Sequence, residues 1–218
     1  MSDPFDFFAQ SLRSAGQALA EGIRLHDVIG ASLESAADLE AWRHPLGFTH
    51  VELTRQADCR DDERLRLHLW SGSMRIRGDD AGTVHEHTWG LTSLVLRGAI
   101  RDRNYRPVER LAGRYQGARV EYGARNKFVQ AGRYDLDLIA DRRVDAGSVY
   151  RIPPRIVHET EVEQFPTVTL VLATGVRAVA DPGPLLLSKE GSASSGTPVR
   201  KKVDTAGLRR ELQSALLS

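Results

Sequence analysis

At 218 residues with 41% hydrophobic content, the chain carries enough apolar mass for one main domain with extensions. Lys plus Arg 30 against Asp plus Glu 29 gives a formal charge of +1, so no net field favours nucleic acid or an anionic membrane. One cysteine excludes an internal disulfide, the opening Met-Ser-Asp-Pro-Phe-Asp lacks a secretory pattern, and no apolar run approaches the ~20 residues that cross a bilayer. The expectation is a soluble, cytoplasmic protein.

Residues 3–23 set Phe5, Phe8, Leu12, Ala15, Leu19 and Ile23 at three- and four-residue steps behind Asp3 and Pro4, which predicts an amphipathic helix. A second short helix is predicted over Leu33 to Trp42, ended by the residue before Pro45. Both are expected to pack outside a sheet, as a helical extension over 1–46.

From Gly47 the period changes. Phe48-Thr-His-Val-Glu-Leu53 and Leu65-Arg-Leu-His-Leu-Trp70 alternate apolar and polar residues, the signature of strands. A turn is predicted over 77–82, and Leu94-Val-Leu-Arg-Gly98 is a strand broken by a glycine in a turn conformation. Residues 101–135, rich in Arg, Gly and Tyr, read as a hairpin or loop excursion around Arg119-Val-Glu-Tyr122. Leu136-Asp-Leu-Ile-Ala140, Ser148-Val-Tyr-Arg-Ile152 and Thr167–Ala173 complete the strands, with Pro153, Pro154 and Pro166 interrupting pairing. Short strands with frequent turns predict a barrel or sandwich over 47–187. A flexible linker is predicted over 188–203, with its small polar stretch at 191–198 leading into the basic Arg200-Lys-Lys202, and a helix is predicted over 204–218. Leu208, Leu212 and Leu216 share one face of that helix, with Asp204 or Thr205 as its cap.

Chemistry concentrates in Thr83-Val-His-Glu-His-Thr-Trp89. His85 and His87 are one residue apart, so on a strand they point the same way and can grip one object. Far along the chain, Gly147-Ser-Val-Tyr-Arg-Ile-Pro-Pro-Arg-Ile-Val-His158 offers a third histidine. Three neutral imidazoles suit Fe, Zn, Ni or Cu and leave coordination positions open, which is the arrangement of a catalytic site. Glu86, between the pair, should face away from the ion.

These residues resemble the cupin superfamily. Its first motif is a glycine, five residues, His-x-His, three or four residues, a glutamate, six residues and a glycine; here His85-x-His87 leads to Gly98. Its second motif runs from a glycine through a proline to a histidine, and here Gly147, Pro153 and His158 stand in those places. The resemblance spans residues 47–175 and implies a mainly β double-stranded β-helix, a jelly-roll barrel, here with N-terminal helices and a short C-terminal helix. It departs from the pattern at four places: Leu91 or Thr92 stands for the motif glutamate, Asp79 and Arg155 for glycines, and Val162 for asparagine. Without the glutamate, the site resembles the cysteine dioxygenase group of thiol dioxygenases. That implies Fe(2+), with a small-molecule substrate and O2 as partners, and the cupin resemblance implies a homodimer. The group's substrate-holding arginine aligns with His50, and Thr169, Val171 and Ala173 offer no outer-sphere His or Tyr, so the substrate is a thiol or another chelating molecule.

Arg66, His68 and Trp70 share one face of their strand. If that face lines the pocket, Arg66 or His68 holds an anionic group or moves a proton; if not, it meets solvent or the helices. Tyr150 either faces the metal as a hydrogen-bond donor or forms a half-buried wall. Trp89 closes the pocket or simply packs. Glu159 and Glu161 either support the ligands or form a solvated face, and Cys59 has no catalytic role. The expected function is a mononuclear Fe(II) dioxygenase. The competing expectations are a three-histidine zinc hydrolase or isomerase, and a small-molecule-binding cupin without chemistry.

Overall fold

The computed structural model describes residues 4–14, 22–44, 46–71, 84–121, 127–176, 182–189 and 200–217. Within them the chain is mainly β. Helices α1 (Pro4–Ser14) and α2 (Leu25–Glu34) precede β1 (Glu40–Arg43), β2 (Thr49–Glu52), β3 (Glu63–Trp70) and β4 (Val84–His85). Then follow β5 (Gly90–Glu109), β6 (Tyr115–Glu121), β7 (Lys127–Asp145), β8 (Val149–Ile152), β9 (Val157–Thr174), β10 (Leu185–Lys189), β11 (Lys201–Val203) and α3 (Thr205–Leu217).

All strand pairs are antiparallel, and two long strands organise them. The first half of β5 and the second half of β9 lie in the sheet β11-β1-β2-β3-β9-β5-β8. Their other halves join a ring: β9 pairs β4, β4 pairs β10, β10 pairs β6, β6 pairs β7, and β7 returns to β5. The ring closes on itself and leaves β11 and β8 as the edges of the larger sheet, a barrel of the kind a jelly roll forms.

Gly98 marks the point where β5 leaves one sheet for the other. Its φ of 76° lies in the left-handed region, and a Cβ there would sit 2.1 Å from Thr167 Oγ1 and 2.8 Å from Pro166 O. The β5–β9 register slips on both sides of it, and Pro166 falls within that slip.

The alternation in β3 settles which face is which. Leu65, Leu67 and Leu69 are buried with Phe5, Phe8 and Ile29 of the helices and Leu170 and Leu172 of β9. The helices therefore cover the leucine face, and Arg66 and His68 point to the barrel interior. α3 joins the same layer through Leu208, Leu212 and Ala215. Asp204 caps it, its Oδ1 accepting from Gly207 N at 2.6 Å, and Arg97 donates to Ala215 O at the other end.

Several expectations need correction. The second helix covers 25–34, because Leu25, Val28, Ile29 and Ser32 supply the helical stripe, whereas Glu40–Arg43 is strand β1, paired with β2 on one side and β11 on the other. The sheet thus begins before residue 47, and the basic segment expected to end a linker supplies edge strand β11. The excursion over 101–135 is strand for most of its length: the second half of β5, then β6 and the first part of β7. The turn at 77–82, the linker core at 191–198 and the end of the first helix from 15 to 21 lie outside the described residues.

Candidate metal centre

β4 and β9 bring the three histidines together. His85 on β4 stands directly opposite His158 on β9, and His87 follows two residues on. Ring centroids lie 4.7 Å apart for His85–His87, 4.7 Å for His85–His158 and 5.2 Å for His87–His158. One nitrogen from each ring lies within 4.8 Å of the others, close enough to hold one ion.

The donors suit a divalent ion. Burial, then the neighbouring His85 and His158, push His87 well below the usual imidazole range, so its lone pair is free at neutral pH. His158 is 3% exposed, and neither of its ring nitrogens makes a hydrogen bond among the described residues. A buried polar atom without a partner is costly, and an ion at one nitrogen would remove that cost.

Glu86 turns away from the histidines, as the strand period requires. Its Oε1 accepts from Arg119 Nη1 at 2.9 Å, Arg155 Nη1 at 2.9 Å and Leu185 N at 3.1 Å. Arg155 stands where the second cupin motif has glycine, and it adopts the conformation glycine would favour, with φ 66°. Its backbone N donates to His87 O at 2.7 Å, and its Nη2 donates to Pro182 O at 2.6 Å. The departure from glycine therefore adds a clamp on Glu86 and His87.

A second polar cluster adjoins the first. Trp89 stacks on His87 with centroids 4.0 Å apart, and the Arg66 guanidinium carbon lies 5.3 Å over the Trp89 ring. Arg66 Nε is 3.6 Å from Glu52 Oε2, and His50 Nε2 is 3.6 Å from the same oxygen. His50 and His68 face each other across β2 and β3 with centroids 5.5 Å apart, while Phe48 packs on His68, His44 and Trp70. Burial lowers the pKa of His50 and His68 and brings His44 to about 3. Burial also lowers Arg66, against the pull of Glu52. Burial alone would raise Glu52, but the adjacent His50, a hydrogen bond from Thr54 and the charge of Arg66 hold it below the usual carboxylate range.

Of the expected site residues, His50, Arg66 and His68 thus share one interior cluster that meets the three histidines at Trp89. Tyr150 does not join them. It packs with Val95, Ile100, Val144 and Ile152 and lies under Arg142, 5.5 Å from the guanidinium carbon, and burial pushes its phenol up to about 12. Glu159 and Glu161 engage Arg103 rather than the ligands, and Cys59 is half-buried with its thiol pKa raised by burial. A cavity of about 300 Å³ beneath α3, lined by Arg43, Trp70, Thr167 and Glu211, lies apart from the three histidines.

Asp102, Glu52 and His44 were missed in the sequence. Asp102 sits on the buried face of β5 with Ile100, a period-2 signal hidden inside the stretch expected to be an excursion.

No protein-family model matches the chain, and no curated protein does. Its shape is similar to that of a variant of Bacillus subtilis oxalate decarboxylase, at 11% identity and a TM-score of 0.38, over 65% of this chain and 29% of that one. A second structure of that decarboxylase, described for its Mn(II) centres, matches at 10% identity and a TM-score of 0.38, over 69% of this chain and 30% of that one. Hydroquinone 1,2-dioxygenase in complex with Cd2+ and 4-hydroxybenzonitrile matches at 11% identity and a TM-score of 0.32, over 53% of this chain and 60% of that one. The chain therefore spans less than a third of the length of the decarboxylase. Among the described residues, no helix is long and apolar enough to cross a membrane.

Proposed function

We propose that the chain is a metal-dependent enzyme, a mononuclear non-haem Fe(II) dioxygenase that oxidises a small thiol or other chelating substrate with O2. The convergence of His85, His87 and His158 carries this reading. Three neutral ligands leave the charge of a divalent ion uncompensated, which favours an anionic substrate, and Glu86 is turned away from the ion. Bound Fe(II) supplies the electronic coupling between substrate and dioxygen that spin restriction otherwise slows.

The chain's own residues bind and orient. Arg66, held over Trp89 and next to the ligand His87, is placed to take an anionic group of the substrate. Its pairing with Glu52 keeps the half-buried guanidinium from standing alone. His50 and His68, neutral by burial, can each accept or donate one hydrogen bond inside the barrel. Phe48 packs on His68 and Trp70, and Trp89 stacks on His87, so apolar rings flank these polar groups.

The test combines metal analysis with oxygen uptake. Protein loaded anaerobically with Fe(II) should consume O2 with a member of a panel of thiols and chelating acids, and replacing any one of the three histidines by alanine should abolish uptake. Full turnover with Zn(II), or no uptake with any substrate, would count against a dioxygenase; turnover with Zn(II) would instead make the site a Lewis acid for hydrolysis or isomerisation. We place the protein in the cytoplasm as a homodimer, which sedimentation of the purified chain would check for the oligomeric part.

A further inference from the structure

A carboxylate is among the most expensive groups to bury, and Asp102 on β5 is fully buried. Its Oδ2 accepts from Arg142 Nε at 3.0 Å and lies 2.8 Å from Nη2. Its Oδ1 makes no hydrogen bond among the described residues. Across the β5–β9 ladder, His158 Nδ1 lies 3.6 Å from that oxygen and also makes none. At this distance the two are neighbours but not hydrogen-bonded, and a closure of about half an ångström would join them. A neutral imidazole has one N–H and one lone pair. With Nδ1 beside a carboxylate oxygen, the N–H belongs there, and the lone pair at Nε2 is left for the centre shared with His85 and His87.

We infer that Asp102, backed by Arg142, is a positioning residue that holds His158 in the Nδ1–H tautomer and so presents Nε2 to the ion. The inference rests on the three histidines being metal ligands. It also accounts for a charge: the ligand set has no carboxylate of its own, and Asp102 places one negative charge 3.6 Å behind it, partly offset by Arg142. Asn104, directly opposite His158, offers another buried oxygen without a partner and is the competing acceptor.

The tautomer can be read without any reaction. In the full chain labelled with 15N-histidine, the ring nitrogens of metal-free His158 should show protonated Nδ1 and bare Nε2. Asp102→Asn keeps an oxygen for Arg142 while turning an N–H2 towards His158, so it should reverse the tautomer. Competition with a chelator should then show Zn(II) and Co(II) affinity lowered by about 10–100-fold. Asp102→Glu should recover part of the loss, and Asn104→Ala should change the tautomer little. A bare Nδ1 in the parent, an Asp102→Asn variant with unchanged tautomer and affinity, or the whole effect appearing in Asn104→Ala would each overturn the inference. Should Asp102→Asn fail to fold, the parent's ring nitrogens decide alone. Failure of the parent to bind one Zn(II) per chain overturns the metal reading itself, whereas binding indifferent to Asp102 overturns only this inference.

Discussion

Replacing Glu86 by alanine tests how the ligand strand is held. β4 has two residues, Val84–His85, so it cannot hold its own register; it pairs with β10 through His85 and Leu186, and Glu86 N donates to Leu185 O at 3.0 Å. The Glu86 carboxylate completes the tether by accepting three hydrogen bonds, two of them from guanidiniums. Each such bond to a charged group is worth ~1.5–3 kcal/mol. The Arg119 and Arg155 side chains are 29% and 36% exposed and keep backbone acceptors at Gly183 and Pro182, so water and these carbonyls recover part of the loss. The unpartnered Leu185 N–H is buried and recovers little. The net cost of Glu86→Ala is therefore about 3 kcal/mol, at the lower end of the ~3–5 kcal/mol range for breaking a fully buried pair. At this chain length that corresponds to a fall in Tm on the order of 6–12 °C. Glu86→Gln retains an acceptor oxygen and should lose about half as much. Urea unfolding of the metal-free protein measures both, and chelator competition should show weaker metal binding in the same order. An alanine variant within ~0.5 kcal/mol of the parent, or a glutamine variant worse than the alanine, would refute the reasoning.

Gly98→Ala should cost ~3 kcal/mol or more, because the left-handed φ is joined by overlap with backbone at Pro166; Gly147→Ala, at φ 86° with open space around it, should cost only ~1–2 kcal/mol. Thermal melts that put the two losses level would refute the difference. The buried histidines make stability fall with acid: His44 has a folded pKa of about 3, below its unfolded ~6.5, so its contribution is intact above ~6.5 and is lost as pH falls towards 3. His50 and His68 act in the same sense. Between pH 7 and 5, His44→Phe should reduce the acid slope of the unfolding free energy by up to about one proton, and an unchanged slope would contradict it. Arg66→Met should weaken binding of an anionic chelating ligand to the metal-loaded protein by about tenfold or more while metal content stays at the parent level; loss of metal instead would move Arg66 out of the substrate role.

The barrel and the convergence of three histidines were legible because their signals are local in kind. Two histidines one apart on a strand must share a face, and the glycine at 98 announces a conformation that other residues resist. Arg155 shows the limit of such reading: the motif position calls for glycine, yet an arginine takes the same left-handed φ and gains contacts to Glu86 and Pro182 that no spacing could reveal. Ala41 and Trp42 read as the end of a helix because four residues cannot distinguish a period of 2 from 3.6; only β2 on one side and β11 on the other decide the matter. Nor could alternation alone say which face of β3 is inside. The leucines would suit a barrel core equally well until the helices are seen to cover them.

That covering has a consequence for the site. The apolar layer between the helices and the outer face of the sheet holds most of the large buried side chains, including Phe5, Phe8, Leu65, Leu67 and Leu172, and it supplies stability without taking any of the interior. The barrel interior around the three histidines is correspondingly rich in groups that are expensive to bury: Asp102, Glu52, Arg66, His50, His68 and His158. Among the described residues, several of their atoms, at Arg66 Nε, Asp102 Oδ1 and both nitrogens of His158, still have no hydrogen-bond partner. Stability alone would have favoured leucine and valine there, as on the other face of β3. Unpartnered polar atoms gathered at one end of a well-packed barrel are what a site that completes itself with an ion and a ligand requires.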